Sequence, residues 1–155
     1  MATQKLQVGR ALSVIPSNDC EVPFPAVTVS GVNTAPSTFQ LVDSTKNFIA
    51  LNVQTGDIVY NLSTATAATV VKVISATVLE INVSIFTTSP NSYTIYAGGN
   101  NDGCVLYIGA AGDISVVTIG GDTVTFVGVL SGQFIPVKVS KVLATTSATN
   151  ILALW

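Results

Sequence analysis

Histidine is absent from this chain and charge is scarce: Lys and Arg together number 6, and Asp and Glu 8, in 155 residues. Without an imidazole, Ser-His-Asp and Cys-His catalysis and histidine metal ligation are excluded, since each needs that ring as base or ligand. Cysteine is nearly absent too. Cys20 and Cys104 are too few for a disulfide scaffold or an all-thiol zinc site. Two free, buried thiols are the expectation in a reducing compartment, with a Cys20–Cys104 bridge as the alternative.

The six basic residues are unclustered and the formal net charge is -2, so no cationic stripe exists to track phosphates or anionic lipid. This argues against direct nucleic-acid or membrane partners. No run approaches the ~20 apolar residues of a spanning helix. The opening MATQKLQVGR lacks the apolar core of a secretory signal, so synthesis in the cytoplasm is expected.

What is present is β-forming and bland. Hydrophobic residues make up 48% of the chain and charged ones 9%, against ~25% charge in an ordinary soluble protein. A solitary protein stays dispersed by keeping charge on its exterior, so this composition implies a surface partly covered by neighbours. The plainer alternative is a small secreted or periplasmic β domain.

Short Val/Ile/Thr/Tyr runs recur between Gly, Asn, Asp and Pro, with no sustained period of 3.6, so the expected fold class is all-β. Twelve strands are expected: 10–15, 26–31, 39–43, 57–62, 68–74, 77–83, 92–97, 104–109, 113–119, 122–129, 135–143 and 150–155. In DTVTFVGV neither alternating face is strongly polar, so that strand wants cover on both sides. In IPVKVSKVL, Lys141 falls on the apolar face unless the ladder slips, which predicts a β-bulge near Ser140. The apolar end NILALW should dock rather than fray.

The stretch from Ser37 to Tyr96 has its own texture of strands and turns, bordered by APST at 35–38 and AGGNNDG at 97–103. The expected organisation is a β-sandwich base domain from 1–35 plus 103–155, with an inserted small β-barrel or meander at 36–102.

Two carboxylates can make a glycosidase, so the acids need weighing. Asp57, Asp113 and Asp122 sit beside glycine, the ordinary composition of a hairpin turn. NNDG at 100–103 lacks the later acidic ligand of a calcium loop and reads as a linker turn. No catalytic, cofactor-binding or metal-binding residue is assigned, no cofactor is expected, and a small-molecule ligand is disfavoured.

RALSVIPSND, joined across the insert to LYIGAAGDISVVTIGGDTVTFVGVLSGQFIPVKVSKVLATTSATNILALW, resembles a family of small bacteriophage virion structural proteins. The resemblance rests on Arg10, Pro16, Ser17, Leu106, Tyr107, Gly109, Gly112, Asp113, Gly121, Asp122, Pro136, Val142, Leu143, Ala144, Thr145 and Trp155. It covers about the first 35 and last 52 residues, and departs from the usual opening at Asn18 and Cys20. The insert resembles a module of other phage and environmental virus proteins.

That resemblance implies a non-enzymatic virion protein. The leading expectation is a decoration or cement protein on the outer capsid surface, touching the major capsid protein and copies of itself in a symmetric oligomer such as a trimer. The alternative is a tail-associated spike-base or fibre-attachment protein, and a third reading is a glycan-recognition module on the insert. Candidate interface residues are Arg10, Phe24, Phe134, Leu154 and Trp155, the last because tryptophan joins a large apolar area to one donor, with a core plug as the equal alternative for it.

Overall fold

The computed structural model describes residues 8–99 and 102–155, so the first seven residues of the opening segment and Asn100 and Asn101 of the linker turn lie outside it. The described residues form strands and no helix. The strands are β1 (Ala11–Ser13), β2 (Val27–Val32), β3 (Gln40–Val42), β4 (Ile58–Asn61), β5 (Thr66–Ser75) and β6 (Val78–Ile81). They continue as β7 (Ser92–Tyr96), β8 (Cys104–Ala110), β9 (Gly112–Thr118), β10 (Thr123–Val129), β11 (Phe134–Val142) and β12 (Thr149–Leu154). Each of the expected strands is present, and the fold class is all-β.

The chain divides into two compact units, Met1–Val14 with Asp102–Trp155, and Ile15–Asn101. The first, the base, is therefore built from both ends of the chain. Its boundary corrects the sequence reading, which kept residues 15–35 in the base. The reason is pairing: β2 runs antiparallel to β7, with Val27 opposite Tyr96 and Val32 opposite Ser92, and so belongs to the inserted unit.

The base is one antiparallel sheet in the order β1-β12-β8-β11-β9-β10. Alternation puts Cys104, Leu106 and Ile108 of β8, Ile151 and Ala153 of β12, and Ile114 and Val116 of β9 into the core, all 3% exposed or less. The carboxyl-terminal strand docks as expected, held between β1 and β8. The amide of Trp155 donates to the carbonyl of Arg10, and its carbonyl accepts from Gly9 and Arg10.

The ladder between β11 and β9 slips between Val139 and Lys141, at the predicted position. The extra residue, Ser140, donates its hydroxyl to the carbonyls of Val117 and Thr118. Because of it, Val139 and Val142 are both buried while Lys141 stays out of the core. A bulge here costs one ladder position and avoids a buried ammonium, which is the larger penalty.

The inserted unit is a second antiparallel sheet, β2-β7-β4-β5-β6-β3. It curls until its outer strands approach: Ala35, just past β2, bridges Val42 of β3, and the Thr34 amide donates to the Val42 carbonyl. Inside lie Leu41, Phe48, Val59, Leu79, Ile81, Phe86, Tyr93 and Ile95. The polar groups buried with them are satisfied. Asn61 donates to the Ile85 carbonyl and accepts from Ser63 and Thr64, while Asn33 donates to Ala35 and Thr88 and accepts from Asn91.

Candidate assembly surface

In the base, directly opposed residues share a face, so the pairings reveal what lies opposite the core. Leu152 pairs with Tyr107, Leu154 with Val105, and Phe134 with Tyr107. These five side chains form an apolar band across β12, β8 and β11, partly open to solvent, with Phe134 50% exposed. The rings of Tyr107 and Phe134 meet edge to face with centroids 5.3 Å apart. Beside the band, Val105, Lys138, Leu154 and Trp155 line a concavity of about 260 Å³.

Of the five candidate residues, Phe134 and Leu154 thus share this band and Trp155 adjoins it. Arg10 is exposed at the end of β1, held through its backbone against Trp155. Phe24 lies in the inserted unit, half-buried in the turn where its carbonyl accepts from the Ala26 amide.

The sequence did not identify β10 as a sheet edge, since edge and interior strands carry similar local patterns. The β9–β10 turn closes with the Thr118 amide on the Asp122 carbonyl, and the Gly121 amide on the Thr118 carbonyl. Gly121, at φ +92°, takes the left-handed position that a three-residue hairpin loop requires.

From that first bonded pair the ladder alternates, making Val116–Val124 and Ile114–Phe126 bonded pairs, and Val117–Thr123 and Ser115–Thr125 non-bonded ones. The neighbouring strand agrees. The Ser115 carbonyl accepts from the Leu143 amide and the Val117 carbonyl from the Ser140 hydroxyl, both on the side away from β10. The amides and carbonyls of Thr123 and Thr125 therefore point outward from the sheet. Both residues are exposed, and Val127 is 78% exposed.

Native edge strands are usually blunted by Lys, Pro, a bulge or shortness. The other edge of the base is so protected: β1 has three residues, with Arg10 before it and Pro16 after. The inserted unit brings its own edges together near Ala35 and Val42. On β10 there is no charged residue and no proline, and the one irregularity falls after Phe126. There Gly128, at φ +66°, donates its amide to Oδ1 of Asp113 at 2.8 Å.

Three carboxylates are engaged in structural hydrogen bonds. Asp43 accepts from Tyr93 and Thr45, Asp57 from Gln54 and Gly98, and Asp113 from Gly128. Cys20 and Cys104 are buried thiols with no disulfide between them, and burial pushes the Cys104 thiol up to about 12. Among the described residues no group of three His, Cys, Asp or Glu side chains could hold a metal ion. A groove of about 560 Å³ in the inserted unit offers Thr34, Thr45, Lys46 and Ser89, with no aromatic ring in its lining. Comparison with known proteins finds no matching family model, no matching curated protein and no matching solved structure.

Proposed function

We propose that the chain is a non-enzymatic structural protein of a bacteriophage particle, acting as a decoration or cement protein that bridges capsid subunits. The observation that carries this reading is the base sheet. One face carries the buried side chains, while the other bears Val105, Tyr107, Phe134, Leu152 and Leu154 partly open to solvent. Apolar surface of this kind on a sheet with so little charge suits contact with other subunits better than free solution. Binding only to the assembled shell would stabilise it by mass action, which is the physical content of a cement protein.

The resemblance in the opening and closing segments supports the virion setting. Quantitative mass spectrometry of purified particles is the test. Hundreds of copies per particle are expected on a head, a few to tens would move the protein to the tail, and absence from particles overturns the proposal.

A further inference from the structure

The core face of the base ends in a row of directly opposed valines. Val142 of β11 faces Val116 of β9, which faces Val124 of β10. Burial along the row runs 1%, 0%, then 38% exposed at Val124. The row stops where the sheet stops, at the strand whose outward backbone groups belong to Thr123 and Thr125.

We infer that β10 pairs with β10 of a second copy across a twofold axis at Val124. In this register Thr123 bonds Thr125 of the other copy and Thr125 bonds its Thr123, which uses the outward amides and carbonyls of both residues. Val124 then lies opposite Val124, and the valine row runs unbroken from one core to the other. The segment used ends at Phe126, before the ladder slip.

A second copy fits better than an unrelated strand for a reason of charge. A twofold axis sets like against like, so any charge at its centre would meet itself, whereas residues 123 to 126 are Thr, Val, Thr and Phe. Opposed Thr–Thr and β-branched pairs are among the favourable cross-strand combinations. Asp122 of the two copies lies at opposite ends of the paired segment. The pairing rests on the reading of this chain as a self-associating structural protein, and it names the surface through which copies meet.

The full chain tests it by sedimentation equilibrium, with circular dichroism to confirm folding. Wild type is expected to be dimeric at micromolar concentration. V124K and V124E, each placing like charges together at the axis, should be monomeric, and their equal mixture should restore a dimer. T123P offers a second test, because it removes an outward amide that β9 does not use; it should be monomeric and folded. A monomeric wild type overturns the pairing, as does a folded V124K that remains dimeric or a mixture of V124K and V124E that remains monomeric. Because the readout is the purified chain, its failure is separable from the particle copy number that tests the proposed function.

Discussion

The Tyr93 hydroxyl donates to Oδ2 of Asp43 over 2.7 Å inside the inserted unit, where Asp43 is 0% and Tyr93 1% exposed. Oδ1 of the same carboxylate accepts from the Thr45 amide and hydroxyl. These donors let a carboxylate sit in an apolar barrel without becoming an unsolvated charge. Removing one is costly: Tyr93→Phe should destabilise the chain by about 1.5–3 kcal/mol, the range for a hydrogen bond to a charged group, read as a lower urea midpoint. Gly31 belongs to the same arrangement, because a Cβ there would stand 2.7 Å from the Tyr93 hydroxyl and 2.8 Å from Oδ2. Gly31→Ala should therefore lower the midpoint as well.

Alkali should act on the base through Cys104. Burial raises its thiol from about 9 to about 12, so the folded state holds its proton where the unfolded chain releases it. The sign follows: stability is complete below pH 9 and is lost as pH climbs from 9 towards 12. Tyr93, raised by burial and by its bond to Asp43, adds a loss of the same sign beginning near pH 10. Cys104→Ser keeps a donor near the Val139 carbonyl, which the thiol reaches at 3.4 Å, and removes the titration. Its urea midpoint should fall less steeply than wild type between pH 9 and 10.

Much of this fold is legible in the chain because alternation is a local signal. Lys141 breaks the apolar phase of β11, and the bulge at Ser140 follows from that break alone. The segment 15–35 shows the limit. AVTVSG alternates equally well beside either sheet, and only its distant pairing with Tyr93 to Tyr96 assigns it to the insert. Buried amides were invisible for a similar reason, since nothing in the local pattern around Asn33, Asn61 or Asn91 shows which carbonyls they reach. At the candidate surface, Phe134 and Leu154 could be picked from apolar pattern. The open edge at β10 could not, because it is a property of strand order.

Phe134 separates surface from core. At 50% exposure it contributes little burial, and its edge-to-face contact with Tyr107 is worth about 0.5–1.5 kcal/mol. Phe134→Ala should therefore shift the urea midpoint only slightly. Phe134→Asp should leave the fold intact by circular dichroism while lowering the copies recovered on purified particles.

Asp113 controls the shape of the edge. Its backbone carbonyl accepts from Ser147 and Ala148, and its Oδ1 holds the Gly128 amide, so one residue ties the 147–148 loop to the kink in β10. The kink turns Val127 and Gly128 away from the ladder and confines regular pairing to the segment before them. Asp113→Ala should cost about 0.5–1.5 kcal/mol, the net worth of one hydrogen bond, and should speed amide exchange at Gly128 more than at Val124. Asp113→Asn retains Oδ1 as an acceptor and should restore most of the protection. If Gly128 exchanges equally fast in wild type and Asp113→Ala, the kink is held by strand twist and glycine geometry, and the carboxylate is not its clamp.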